Sequence, residues 1–156
     1  MSEIIDIAMG DLYVATAPAT LTTSSIGSCL AVCLFSHTDR AGALAHVMLP
    51  ERPQSETEIT ETDYKYADVA IAIMVKELEK MGIPRTRLIA KVSGGANMFP
   101  GVQGRSHKIG EKNIAAVQQL LASYSIRIAA EDTGGNSGRA VTFDLTNGLV
   151  TIKVTI

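Results

Sequence analysis

Leu30-Ala31-Val32-Cys33-Leu34-Phe35, then Ser36-His37-Thr38-Asp39-Arg40-Ala41-Gly42, then Ala43-Leu44-Ala45-His46-Val47-Met48-Leu49-Pro50, is the stretch on which the fold turns. Two short apolar runs flank a segment of turn formers, and Pro50 closes the second run. The pattern predicts a hairpin of strands Leu30 to Phe35 and Ala43 to Leu49, with its loop around His37 to Arg40. Upstream, Asp11 to Thr16 reads as a further strand.

Downstream, Glu51 to Thr62 is rich in Glu and Thr and holds neither period, which predicts an exposed loop of the kind that frames a binding face. From Asp63 the period changes. Ala67, Ala70, Ile71, Met74, Leu78 and Met81 recur at helical spacing opposite Lys76, Glu77, Glu79 and Lys80, and Gly82 and Pro84 stop the helix. Leu88 to Ser93 reads as a strand and Gly94 to Gly110 as a glycine-rich connection. A second amphipathic helix runs through Ile114, Val117, Leu120, Leu121 and Tyr124. Short strands near Arg127 to Ala130, Ala140 to Leu145 and Leu149 to Val154 finish the chain, the last two joined by the hairpin signal Asn147-Gly148. Several strands with two helices predict an α+β or layered α/β fold rather than a strictly alternating doubly wound one. A length of 156 residues without repeat or linker predicts a single domain over 1–156.

Composition narrows the function classes. The chain is 46% hydrophobic and 19% charged, as a folded globular protein is. Its 14 Lys and Arg are scattered against 16 Asp and Glu, for a net charge of -2, so electrostatics make no case for nucleic acid. The first residues carry acids and no basic leader, and no run approaches the ~20 apolar residues of a membrane span, which predicts a soluble cytoplasmic protein without membrane insertion. Lack of a long exposed apolar stripe predicts a monomer.

Two cysteines occur, Cys29 and Cys33, without CxxC spacing, so free thiols in a reducing compartment are expected. Cys33, inside the first strand of the hairpin, reads as a small packed hydrophobe. Cys29 follows the small polar run Leu21-Thr22-Thr23-Ser24-Ser25-Ile26-Gly27-Ser28. A tight turn at Gly27 and Ser28 would aim backbone N–H groups at the thiol and support both a thiolate and a developing oxyanion. A nucleophilic thiol also needs a base. His37 falls in a polar turn and His107 in a glycine-flanked segment, so both are expected at the surface. His46 stands in an apolar strand whose end lies beside the start of the strand that Cys29 begins. From the residues alone, the pair is either a nucleophile with its base or a packed cysteine beside a core histidine bonded to backbone. No CxxC, HxxxH or carboxylate cluster favours a metal at Cys29, Cys33 and a histidine, and the glycine-rich segment lacks the Walker pattern of a phosphate cradle.

One family carries the whole ordered set. Gly27-Ser28-Cys29 with its apolar strand, Ala45-His46-Val47-Met48-Leu49-Pro50, Gly94-Gly95-Ala96-Asn97-Met98-Phe99, Ile109-Gly110-Glu111-Lys112-Asn113, Glu131-Asp132-Thr133-Gly134-Gly135-Asn136 and Gly138-Arg139 resemble the motifs of the CheD chemoreceptor glutamine deamidases, over roughly residues 10 to 154. The resemblance implies a layered α/β sandwich and a site in which the family's cysteine falls on Cys29, its histidine on His46 and its catalytic threonine on Thr23, with Gly27 and Ser28 in the oxyanion turn. It also implies a cytoplasmic chemoreceptor domain as substrate, a CheC-type phosphatase as a further partner, and no cofactor. Where members usually carry a Leu-Gly-Leu-Gly type of run, this chain has Ser24-Ser25-Ile26-Gly27.

Three other readings stay open at this stage. A pure binding module would regulate receptors or a CheC-type phosphatase by occupancy, and would keep its signalling effect in a Cys29→Ala variant. A cysteine amidase or thioesterase would act on a small metabolite such as free glutamine. Hydrolysis of methyl esters at the same receptor positions fits the same thiol.

Overall fold

The structure is a computed structural model, and it describes residues 3–53, 63–99 and 108–155. Nine strands and two helices follow in the order β1 (Glu3–Asp6), β2 (Leu12–Thr16), β3 (Ala19–Ile26), β4 (Leu30–Ser36), β5 (Ala41–Val47), α1 (Ala67–Lys80), β6 (Ile89–Gly94), α2 (Ile109–Ser123), β7 (Arg127–Thr133), β8 (Gly138–Asp144) and β9 (Val150–Thr155). They form two mixed sheets, β1-β3-β8-β9 and β2-β5-β4-β6-β7. β1 runs parallel to β3, and β6 parallel to β7 across the α2 connection; the other pairs are antiparallel.

The central hairpin shows why its sequence is apolar at nearly every position. β4 and β5 are buried along their whole length, because the five-stranded sheet is covered on both faces. Leu30, Val32 and Leu34 of β4, with Ala43, Ala45 and Val47 of β5, pack against Ile71, Met74, Leu78, Val117 and Leu121 of the helices. The alternate residues Ala31, Cys33, Phe35 and Leu44 pack with Leu21, Ile26, Val141, Phe143 and Leu145 against the four-stranded sheet. The result is a layer of helices, a layer of five strands and a layer of four, as the layered reading expected.

Element bounds moved where tertiary pairing outweighed local signal. The hairpin turn is confined to four residues, 37–40, ending at Arg40 with φ 47°, so β5 begins at Ala41 opposite Ser36 rather than at Ala43. β5 ends at Val47, and Leu49 forms an isolated bridge with Tyr66. That bridge holds Tyr66 extended, and Ala67 N–H donates to Leu49 O at 2.9 Å, so α1 starts at Ala67, the first residue of the expected helical spacing. Met81 caps the helix and is exposed. β1 and β3 had no counterpart among the expected strands. His37 is exposed, as expected. The expected loop Glu51 to Thr62 beyond residue 53, the glycine-rich stretch from 100 and His107 lie outside the described residues.

Candidate active site

Strand alternation decides which side chains meet between the sheets. In β5, Ala43, Ala45 and Val47 face the helices, so His46 turns into the layer between the two sheets, where it is fully buried. In β3 of the opposing sheet, Ala19, Leu21 and Thr23 form the buried alternate set. The two meet across the layer: Thr23 Oγ1 lies 2.7 Å from His46 Nδ1.

The hydroxyl fixes the tautomer of the ring. Thr23 has one hydroxyl proton, and it donates to Ile7 O at 2.8 Å. Toward His46 the oxygen is therefore an acceptor, so Nδ1 carries the proton and donates to it. Nε2 is left with its lone pair, and it is buried with no hydrogen-bond partner among the described residues. An orphaned ring nitrogen costs stability, which is the mark of a group kept for chemistry rather than packing. The backbone of His46 is pinned on its other edge, its N–H donating to Asp11 O and its carbonyl accepting from Gly10 N–H, each at 3.0 Å.

Cys29 sits where the chain leaves one sheet for the other, in the turn 27–29 between β3 and β4. Register places Ala31 opposite His46 and Leu30 opposite Val47, so the turn that bears Cys29 opens at the end of β5 near His46. Cys29 is half-buried, while Cys33, four residues on, is buried in the strand interior. Each carbonyl of the turn is held from outside: Gly27 O by Ala96 N–H at 2.9 Å, Ser28 O by Asn113 Nδ2 at 2.9 Å, and Cys29 O by Gly95 N–H at 2.8 Å. Gly94, at φ 119°, is required here because a Cβ would run into Cys29 O and the Ile26 side chain. Among the described residues, neither Ser28 N–H nor Cys29 N–H donates to a backbone carbonyl.

Burial sets the resting protonation. It pushes the Cys29 thiol up, partly offset by the backbone N–H at Cys29, and it pushes the His46 imidazole down. Both shifts favour the uncharged form, a neutral thiol and a neutral imidazole. Cys33 is pushed up to about 12 by burial, which Lys91 opposes, and so stays an unreactive thiol. Among the described residues no group of three or more His, Cys, Asp or Glu gathers as a metal site.

The structure thus joins Thr23 to His46 directly and puts Gly27, Ser28 and Cys29 in one turn between the strand of Thr23 and the strand paired with that of His46. It also adds groups that sequence reasoning left without a role: the backbone amides of Gly95 and Ala96, and the buried Asn113. A signal for Asn113 existed. It stands at helical spacing with Val117 and Leu121 on the buried face of α2, an amide where the pattern calls for an apolar residue.

Comparison with known proteins agrees over the chain. Residues 48–154 match the family model described as CheD chemotactic sensory transduction. A protein of Syntrophomonas wolfei named probable chemoreceptor glutamine deamidase CheD is 41% identical over 98% of this chain and 94% of its own length. The chemoreceptor glutamine deamidase CheD of Thermotoga maritima is 39% identical over 98% of this chain and 92% of its own. A probable chemoreceptor glutamine deamidase CheD of Methanococcus vannielii is 39% identical over 96% and 94%. The family model begins two residues past His46, and the likeness to these relatives covers 96–98% of the chain.

Proposed function

This chain belongs to the CheD family of chemoreceptor glutamine deamidases, and from that premise we propose that it converts glutamines in the cytoplasmic helices of chemoreceptors to glutamate by thioester chemistry at Cys29. The observation that carries the mechanism is the bond between Thr23 Oγ1 and His46 Nδ1, because it leaves Nε2 as a buried, unpaired base.

His46 Nε2 takes the proton of Cys29 as the sulfur attacks the carboxamide carbon, forming the C–S bond and a tetrahedral oxyanion. The Ser28 and Cys29 N–H groups receive that oxyanion, an effect on the order of 3 kcal/mol for one good donor. The imidazolium then protonates the departing nitrogen, the C–N bond breaks, and ammonia leaves a glutamyl thioester. Water, deprotonated by the same Nε2, attacks the thioester; the C–S bond breaks and the proton returns to sulfur. In sum, carboxamide and water become carboxylate and ammonium. Thr23 keeps the ring in one tautomer and orientation throughout and accepts the strengthened Nδ1–H bond of the imidazolium, as the third group of a triad does.

Each conversion adds one negative charge to a receptor helix, which changes helix packing in a signalling bundle and so links the reaction to chemotactic adaptation. No helix among the described residues is long and apolar enough to cross a membrane. The reading sets the enzyme in the cytoplasm as a monomer, with a CheC-type phosphatase as a second partner; sedimentation with and without that partner tests both.

The test is mass spectrometry of a receptor cytoplasmic fragment incubated with the wild type or with Cys29→Ala. Replacement of an amide by an acid adds ~1 Da per glutamine. A gain confined to the wild type supports the reading; no gain from a folded wild type on an authentic receptor contradicts it and favours the binding module.

A further inference from the structure

We infer that Asn113 is a positioning residue for the deamidation, aiming the oxyanion-binding amide of Cys29 and fixing the nucleophile turn to the strand that carries His46. The inference rests on the thioester reading above.

Asn113 is fully buried on the first turns of α2, and its amide reaches two backbone carbonyls from distant parts of the chain: Ser28 O at 2.9 Å and Met48 O at 3.0 Å. An amide nitrogen has two protons, so each is spent on one carbonyl. Met48 lies two residues past His46, and Ser28 immediately before Cys29. One side chain therefore spans the base strand and the nucleophile turn.

The bond to Ser28 O carries the chemical consequence. Ser28 C=O and Cys29 N–H belong to the same planar trans peptide, in which the two groups point in opposite directions. Drawing the carbonyl toward α2 turns the Cys29 N–H away from it. A carbonyl that accepts a hydrogen bond also makes the N–H of its own peptide a better donor, by polarising the amide. Ala96 N–H does the same for the neighbouring peptide through Gly27 O.

The helix is placed for this contact. Gly110 lies against the backbone of Gly95 and Ala96, where a Cβ would collide with Gly95 O, and that close approach lets Asn113, three residues on, enter the gap beneath the turn. Asn113 Oδ1 is buried with no partner among the described residues. A residue there for packing alone would be apolar and leave no orphaned acceptor; this position keeps the cost of Oδ1 for the donors of Nδ2.

The experiment compares wild type, Asn113→Asp and Asn113→Leu, all checked for native fold by circular dichroism. Asp keeps the size and shape of Asn but offers at most one donor; Leu keeps the branching, with a larger volume, and offers none. Two rates are read: deamidation of a receptor fragment, and alkylation of Cys29 by iodoacetamide, which attacks a saturated carbon and needs no oxyanion hole. The expected result is a kcat for deamidation about 10-fold to 100-fold lower with KM within about twofold, while alkylation stays within about threefold. A folded variant with unchanged kcat overturns the assignment. So does a parallel fall of both rates, which would mean a displaced cysteine, and so does loss of the native fold in both variants. No deamidation by a folded wild type overturns the deamidase reading and this assignment with it, whereas an active wild type beside an equally active Asn113→Leu overturns this assignment alone.

Discussion

Cys29 and Cys33 lie four residues apart in one stretch of chain, bear the same thiol, and differ in everything that governs reactivity. Cys33 is enclosed between the sheets, with a thiol pushed up to about 12 and its backbone in the strand ladder. Cys29 stands one residue before the ladder begins, half-buried, with its carbonyl tied down on the outside and its N–H unspent on backbone. The difference teaches that burial alone does not single out the proposed nucleophile, since burial raises both thiols. What separates them is position: Cys29 stands in the turn between β3 and β4, at the end of the layer that holds the Thr23–His46 bond, and Cys33 inside the strand.

The comparison can be broken most severely by exchanging the two roles. Cys29→Ala is expected to lower receptor deamidation on the order of ten-thousand-fold or more, read by mass spectrometry of the receptor fragment. Next in size is Thr23→Val, which keeps the shape of the side chain but removes the acceptor that holds the His46 Nδ1 proton. Turnover should fall about a hundredfold with KM little changed, and steady-state kinetics at pH 7 would expose an error if Thr23→Val matched the wild type. Acidification sharpens the same point. The imidazole of His46 is pushed below its ordinary value by burial, so it stays neutral and basic to lower pH than a free histidine, and activity is lost only as pH falls through that lowered value. The acid limb of kcat/KM should therefore have its midpoint below about 6.5, and a midpoint at or above that value would contradict a buried base.

Smaller effects concern stability. Cys33→Ala should leave deamidation unchanged and cost about 1 kcal/mol for the buried sulfur, a fall of roughly 2–4 °C in melting temperature. Ser25 supplies the smallest. It is exposed and holds φ 59°, a left-handed conformation, at the position where the family's run carries glycine. Ser25→Gly should stabilise the turn by about 0.5 kcal/mol, the relief of left-handed strain less the extra flexibility of glycine in the unfolded chain; thermal denaturation of the variant would show the sign.

The parts of this molecule that were legible in its sequence are those whose signal is local. The β4–β5 hairpin announces itself as two apolar runs around a turn, and so the register that sets Leu30 opposite Val47 and Ala31 opposite His46 followed from strand order alone. Helix α1 followed from spacing from Ala67 on, and the Leu49–Tyr66 bridge holds the residue before it extended. Strand β3 was not legible. Its inward set is Ala19, Leu21 and Thr23, but Thr20, Thr22, Ser24 and Ser25 dilute the alternation, and the inward threonine is polar because it bonds His46 across the layer. The polarity that lets Thr23 bond His46 also hides its strand, and resemblance rather than pattern pointed to it. β1 is a four-residue edge strand, mostly exposed, with no hydrophobic period to read. Asn113 was half legible: its place on the apolar face of α2 marks it as buried, but its partners are carbonyls 85 and 65 residues away in the chain, which no local pattern names.

The most direct test of the account catches the bond it requires. Deamidation of a glutamine peptide from a receptor helix, quenched in acid during turnover, should leave a fraction of the enzyme heavier by the mass of the peptide less ammonia, ~17 Da, with the adduct on the fragment that bears Cys29 and labile to hydroxylamine. An adduct on Cys33, or steady conversion of glutamine to glutamate by the Cys29→Ala protein, would contradict it.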